Sequence, residues 1–539
     1  MCSSSFGRAR SAVKRVATGL LYRAPVLLAL AWSALGASAE QPPNGSGFDV
    51  LEFQIEGNTL LQPAAVESAV YPFLGPDKGI EDVERARTAL EQAYRKAGHA
   101  AVLVSIPEQQ VSDGVVRLTV VESTIGRTRV QGARYYSQGQ LIANARALQE
   151  GEVLNLPDVQ KDLGQMNQSA DRRVVPVLRP GPSFGTTDVD LKVDDRLPLH
   201  GSVELNNYYS PNTTELRLVG SARYDNLWQL GHSIGLQYQT SPQDTSQVKV
   251  FGASYVAPLP DDSSAGLYYI RSRSSVAAVG DIDVLGNGDI YGARWNKPLP
   301  PVGSYGQLIT LGVDYKSFQD LVVQPGLPAV QTPIQYAPFV INYTGSIGRE
   351  SSSTLFTTGV TFSVRGISGA DEDFAQKRFN ANSNFFIFKW DVQHTSSLPA
   401  GWSFHGELDG QIADQPLVST EEYAAGGGDS VRGYLQAEAL GDDALHGKLE
   451  LRAPSLGPAI SSQLQDLTPY LFVDGATLTI HDALPGETTR TTLLSAGIGL
   501  RARIFDGLTL RSDLGYAFRS TLYTDEGSVR LQFVAAYER

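Results

Sequence analysis

Leu508-Thr509-Leu510-Arg511-Ser512-Asp513-Leu514-Gly515-Tyr516-Ala517-Phe518 alternates strictly between two kinds of side chain. One face reads Leu, Leu, Ser, Leu, Tyr, Phe and the other Thr, Arg, Asp, Gly, Ala. Successive side chains of a β-strand point to opposite sides, so this strand separates an apolar medium from a polar one. In a soluble β-sandwich the apolar face would be the inner one, packed against a second sheet. Here the polar face mixes charged residues with Gly, Ser and Ala, which suits the water-filled lumen of a membrane barrel. Leu494 to Ile504 repeats the pattern, with Arg501 and Arg503 on the face of Gly497 and Gly499. In residues 445–453, Gly447, Leu449, Leu451 and Ala453 face out, and His446, Lys448, Glu450 and Arg452 face in.

The same alternation predicts strands at 200–209, 214–225, 231–240, 246–257, 264–273, 287–297, 306–318, 334–346, 354–365, 379–394, 401–412, 445–454, 468–478, 490–504, 507–518 and 527–538. Sixteen is an even number, as bacterial single-chain barrels require. Alternate connections are short, as at 226–230 and 258–263, whereas 274–286, 319–333, 366–378 and 413–444 are long. Short periplasmic turns and long outer loops produce that asymmetry. The last strand ends in Tyr537-Glu538-Arg539 rather than the terminal aromatic typical of outer-membrane barrels.

Residues 1–39 hold Arg8, Arg10, Lys14, Arg15 and Arg23, then the apolar run Ala24 to Gly36, then Ala37-Ser38-Ala39. This reads as a secretory signal with an A-x-A cleavage site. Nothing later approaches 18 consecutive apolar residues, which excludes a helical membrane protein. The only cysteine, Cys2, lies in the signal, leaving no cysteine for a disulfide, a metal site or a nucleophile. The whole chain carries a net charge of −13; without the five basic residues of the signal the remainder carries −18. An acidic exported protein is a poor candidate for nucleic-acid binding. The seven histidines show no metal-ligand spacing, and no nucleophile elbow or phosphate loop occurs. The sequence therefore points to no enzyme, cofactor, metal or nucleotide.

Ahead of the barrel, residues 48–123 read as strand 49–55, helix 63–71, helix 81–97, strand 101–106 and strand 115–121. The second helix sets Val83, Ala86, Leu90, Ala93, Tyr94 and Ala97 on one face, and Gly98 closes it. Asp113-Gly114 supplies a tight turn. A weaker copy follows about 75 residues later, in which Val130-Gln131-Gly132 echoes Ile55-Glu56-Gly57. Its helices are expected near 137–147 and 157–168, and its strands near 172–179 and 186–194. Such modules suit the capture of an extended client by strand addition to a sheet edge.

One long connection contains Gly426-Gly427-Gly428-Asp429-Ser430-Val431-Arg432-Gly433-Tyr434. Three glycines open backbone conformations closed to other residues, and Arg432 offers a planar five-donor group on a thin stem. Its expected partner is Asp474, an acid at the end of the apolar run Tyr470-Leu471-Phe472-Val473.

Together these features resemble the outer-membrane transporters of two-partner secretion, which export haemolysins, filamentous haemagglutinins and related adhesins. The resemblance spans essentially all of the chain after the signal. It rests on Gly57 and Asn58, on Tyr94 and Gly98, on Pro107 and Gln109, and on Asp113 and Gly114 in the first module, which match the polypeptide-transport-associated (POTRA) pattern. In the second module it rests on Pro180, Gly181 and Gly185. Most specifically it rests on Gly427, Gly428, Ser430, Val431, Arg432, Gly433 and Tyr434. The resemblance implies a 16-stranded barrel behind two POTRA domains, with Arg432 of an inward-folded sixth loop paired to Asp474 beside Phe472. The family usually has glycine two residues after this aspartate, where this chain has Ala476. Family members may also carry an N-terminal plug helix, for which residues 40–47 leave little room.

The expected organisation is a signal at 1–39, a linker at 40–47, POTRA domains at 48–123 and 124–196, and a barrel at 197–539 with an inward loop at 413–444. The expected function is export of a large, β-rich partner protein from the periplasm to the cell surface of a Gram-negative bacterium, in contact with outer-membrane lipids. A membrane-protein assembly factor of the same superfamily is the alternative, and a passive porin is a third reading that leaves the loop motif and modules unexplained.

Overall fold

The computed structural model describes residues 47–539 apart from 112, 275, 280–281 and 323–329. The expected signal, and with it nearly all of the linker and any plug helix, lies outside these residues. The described chain forms two compact units, one of residues up to 97 with 102–121, the other of 98–101 with 122–539.

In the first unit, Glu52–Glu56 runs parallel to Val115–Glu122, which also adjoins Val102–Ser105, while Phe48–Val50 pairs with Gly75–Lys78. The last of these strands, Gly-Pro-Asp-Lys, has no apolar alternation and was not legible in the sequence. Helices Pro63–Val70 and Ile80–Lys96 cover the sheet. The longer helix starts where Asp82 accepts the Gly79 N–H at 3.0 Å, and it ends in Arg95 and Lys96, complementing its dipole at both ends. Val83, Ala86, Leu90 and Tyr94 form its buried face.

The POTRA motif residues build this module. A Cβ on Gly57 (φ 85°) would lie 2.3 Å from the Val120 carbonyl oxygen. Asn58 Oδ1 accepts from the Leu61 N–H at 3.0 Å and from the Tyr94 hydroxyl at 2.5 Å, tying the strand exit to the long helix. The Gln109 amide bonds both the N–H and the carbonyl of Arg117, at 2.7 and 2.8 Å. Asp113 and Gly114 both have positive φ, as a tight turn between strands requires.

In the second unit the repeat is visible in atomic detail. Thr124–Gln131 runs parallel to Thr186–Asp195, which pairs with Arg172–Pro180, under helices Gln138–Asn144 and Leu156–Met166. A Cβ on Gly132 (φ 92°) would lie 2.3 Å from the Val193 carbonyl oxygen, the counterpart of Gly57 against Val120.

The barrel follows directly. Its strands are β1 (Leu199–Asn206), β2 (Arg217–Leu227), β3 (His232–Thr240), β4 (Lys249–Pro258), β5 (Ser264–Arg273), β6 (Gly288–Val302), β7 (Tyr305–Val322) and β8 (Phe339–Arg349, with an outer piece at Val330–Tyr336). They continue with β9 (Ser352–Phe362), β10 (Phe386–Ser397), β11 (Ser403–Ala413), β12 (Asp443–Arg452), β13 (Leu464–Thr479), β14 (Arg490–Ile504), β15 (Leu508–Ala517) and β16 (Val529–Glu538). All neighbours are antiparallel, and β16 returns to β1 from Val534↔Asn206 to Glu538↔Ser202, closing a barrel of 16 strands among the described residues. Leu449, Leu451, Leu510 and Leu514 are exposed outward, whereas His446, Glu450 and Asp513 are buried inward, following the sequence alternation.

Three expectations are corrected. Residues 379–385 are not part of β10. Their alternation of Phe379, Ala381, Ser383 and Phe385 mimics a strand, but Ala381 and Phe385 pack into a core inside the barrel. Of the expected connection 319–333, the described residues 319–322 and 330–333 are strand, with Lys316–Val322 paired to Val330–Tyr336. Finally, the lumen is not polar throughout. Val250, Ile270, Ile290, Phe318, Ile334 and Ile387 turn inward and form an apolar core with Phe374 and Phe385 of the β9–β10 loop.

Candidate functional site: an arginine sealed in the barrel wall

The β11–β12 connection, loop 6, has three parts. Its neck begins after Ala413 with Leu417 and Val418 in the apolar core. A two-stranded ribbon, Tyr423–Ala425 with Ala439–Gly441, leads inward. The tip then reverses through Gly426 and Gly427, at φ 107° and 106°, where a Cβ would collide with the Leu435 carbonyl and the Gln436 side chain. The glycines thus reverse the chain through conformations closed to other residues. Gly428 passes so close to Tyr208 that a Cβ would lie 2.0 Å from its ring. Ser430 Oγ accepts the Gly426 N–H at 2.7 Å and closes the turn.

Arg432 is fully buried against the inner faces of β12, β13 and β15. Its Nε and Nη2 donate to the two oxygens of Asp474, both at 2.7 Å, and its backbone N–H reaches the same carboxylate at 3.1 Å. Nη1 reaches Glu450 at 2.7 Å and Asp513 at 3.4 Å. The guanidinium lies 3.7 Å from the centre of the Phe472 ring, so Phe472 and Asp474 share the lumen face and grip one group by its plane and its edge. Space for the aromatic rings comes from β14. A Cβ on Gly497 would meet Phe472 at 2.5 Å, and one on Gly499 would meet Tyr470 at 2.2 Å.

The carboxylates are shared outward. Glu450 also pairs with Arg452 at 2.6 Å and Arg501 at 3.0 Å, and Asp513 accepts from Arg511 at 2.8 Å and from the Tyr470 hydroxyl at 2.5 Å. Among the described residues Asp474 has Arg432 as its single cationic partner. The remaining motif residues fasten the tip backbone. Gln532 accepts the Gly433 N–H and donates to the Tyr434 carbonyl, both at 3.0 Å. The Tyr434 hydroxyl donates toward the Leu494 and Arg519 carbonyls at 3.1 and 2.8 Å. Gly433 itself lies against the backbone of Gly515. Val431 and Tyr434 are buried among alanines, including Ala476, the residue that departs from the family pattern.

The structure brings Arg432, Phe472 and Asp474 together. Sequence reasoning missed Glu450 and Asp513 as partners, although it had placed both on the lumen face; a search for inward acids on neighbouring strands would have found them. Sequence spacing also concealed two His–carboxylate groups, Asp171–His200–Asp225 and Glu407–Asp409–His446. Both are engaged internally, the first by Arg196 and Arg223 and the second by Lys448 and Tyr423.

A closed 16-stranded barrel behind POTRA-like modules, with an arginine loop sealed inside, defines a class of outer-membrane translocator. Residues 185–502 match the profile of the haemolysin secretion/activation proteins ShlB/FhaC/HecB, and residues 48–123 match the ShlB-type POTRA domain. The chain belongs to this family, the outer-membrane transporters of two-partner secretion, whose POTRA domains lie in the periplasm. It is 21% identical to the outer membrane transporter CdiB of Dickeya dadantii over 86% of this chain and 81% of that one. It is also 18% identical to the heme/hemopexin transporter protein HuxB of Haemophilus influenzae over 69% and 66%. CdiB from Escherichia coli has the same fold, with a TM-score of 0.66, 18% identity and coverage of 94% and 93%. BamA from Haemophilus ducreyi lacking POTRA domains 1–3 is more distant, at 0.54, 15%, 91% and 100%.

Proposed function

We propose that the exported partner is a single large, β-rich exoprotein of the adhesin or haemolysin type, captured in the periplasm by the POTRA modules and passed through the lumen once the tip of loop 6 is released. The observation that carries this reading is the complete burial of Arg432 on Asp474. Truncating one partner of such a pair strands the other at a cost of about 3–5 kcal/mol, so the pair fixes one loop position without being needed to hold the barrel together. No nucleotide site or catalytic constellation enters the mechanism; the drive is the folding of the client outside.

One edge of the second module is partly blocked. On Arg172–Pro180, Val174 directs its N–H and carbonyl away from the sheet, where the Asn167 side chain takes both, at 2.6 and 3.0 Å. Positions 176 and 180 face the same way and are prolines, without an N–H to give. With two of its outward N–H groups missing and one taken by Asn167, that edge is poorly suited to strand addition. The second module instead bonds the barrel's turns: Gln165 to Asp262 at 2.7 Å, and the Ser137 N–H to Gln229 at 2.8 Å.

The test is export of the cognate exoprotein into the medium by wild type and Arg432→Ala. The variant is expected to form a folded, heat-modifiable barrel and to lose export. Wild-type export would overturn the role given to the pair.

A further inference from the structure

Loop 6 has a second anchor far from Arg432. Asp442, at the neck, is fully buried and accepts the Leu417 N–H and the His481 N–H, both at 2.7 Å. Arg378, from the β9–β10 loop, reaches Asp442 at 3.3 Å, Glu422 at 2.7 Å and the His481 carbonyl at 3.2 Å, joining three outer loops in one guanidinium. Beside it, Glu421 takes Lys316 of β7 at 2.5 Å and the Tyr336 hydroxyl at 2.7 Å. Gln411 of β11 donates to the carbonyls of both Glu421 and Asp442, at 3.1 Å each.

The surroundings of the two anchors differ in what water would do to them. Leu417 and Val418 sit in a core of Phe, Ile and Tyr side chains, and lifting them out would expose that core. The tip's own apolar neighbours are mostly alanines. Its remaining bonds are ionic or polar and can be exchanged for hydration, and it borders a cavity of about 560 Å³ lined by Asp429, Gln436, Glu204, Arg501 and Arg503. The joints also lie between the anchors: Gly426 and Gly427 on one arm, and Ala437 (φ 48°) on the other.

We propose that loop 6 opens by a swing of its tip, residues 426–437, about a neck that stays in place, and that Arg378, Lys316, Glu421 and Asp442 are the positioning residues that keep it there. The proposal rests on the reading that Arg432 holds the tip closed. The space vacated by the tip adjoins the cavity, so the client passes along β1–β3 and β14–β16 while the apolar core continues to fill the opposite side.

Two buried valines report on the two parts, Val431 in the tip and Val418 in the neck. Val431→Cys and Val418→Cys are made singly in a Cys2→Ser background, and labelling by a water-soluble maleimide is timed in outer-membrane vesicles. Adding Arg432→Ala is expected to speed labelling at 431 about tenfold or more and to leave 418 protected, because exchange follows local opening. Adding Arg378→Ala or Asp442→Asn is expected to expose 418, with Arg378→Lys restoring part of the protection. Heat-modifiable mobility checks that each barrel is folded. If Arg432→Ala exposes both sites together, the loop moves as one body and the proposal fails. It fails equally if 418 stays protected in both Arg378→Ala and Asp442→Asn. If 431 stays protected in Arg432→Ala, the tip lock itself is wrong and the swing falls with it.

Discussion

The two sides of the lumen are built by the same strand rule and filled in opposite ways. On β12, β13 and β15, inward positions hold Glu450, Asp474 and Asp513 around Arg432. On β4, β5, β6 and β7, they hold Val250, Ile270, Ile290 and Phe318 around Phe374 and Phe385. Period-two alternation decides which side chains look inward, but not whether they meet water, a loop or each other. The charged side gives the closed loop a unique position, since a bidentate arginine accepts few geometries. The apolar side gives it a floor that water does not dissolve.

The sharpest way to break this contrast is to remove Arg432. Arg432→Ala leaves Glu450 with Arg452 and Arg501, and Asp513 with Arg511, while Asp474 loses its guanidinium. The closed tip should lose about 3–5 kcal/mol. In planar bilayers this is expected as a large rise in open-channel current, and an unchanged current would show that the charged side holds nothing shut.

On the apolar side, Phe385→Ala should cost about 3 kcal/mol, the lower range for burying a cavity where Phe was, and should lower the thermal transition of the barrel. It should leave the tip less affected than Arg432→Ala does, as read by maleimide labelling at position 431. Equal effects on the tip would mean that the two sides are coupled and the contrast is false.

Gly515 tests the seam between loop and wall. An added Cβ would lie 2.7 Å from the Gly433 nitrogen, closer than backbone atoms allow. Gly515→Ala is therefore expected to displace the tip by an overpacking strain of about 1–3 kcal/mol, with labelling at 431 intermediate between wild type and Arg432→Ala.

The smallest effect is one of pH, at the neck. Burial pushes the Glu422 carboxyl up to about 7, with Asp442 and Glu487 adding to the rise and Arg378 opposing it. A released neck would return it toward its ordinary value of 4.5. Protonation therefore favours the docked neck: its contribution is complete below pH 4.5 and is lost as pH rises through about 7. Labelling of Val418→Cys should be slower at pH 5 than at pH 8, and Glu422→Gln should flatten the difference. An opposite slope would assign the pH response to another group.

Alternation determined the sixteen wall strands of this protein apart from their ends, because a wall between lipid and lumen imposes period two along every strand, as in Leu508–Ala517. The glycine-rich tip, Arg432 and the acid on its own register face were also legible, since a buried guanidinium requires a carboxylate. Motif residues such as Gly57 and Asn58 were recognisable as a pattern, but only their contacts with Val120, Leu61 and Tyr94 show that they hold the module together. Tertiary structure alone decided that Glu450 and Asp513 join Asp474, because they come from different strands and meet only when the barrel closes. It alone decided that residues 379–385 leave the wall, since Phe385 alternates like a strand residue and is instead drawn into an apolar core assembled from seven strands and three loops. A strand's pattern fixes which way its side chains point; what they meet there depends on chain segments brought from elsewhere, and no local pattern encodes that.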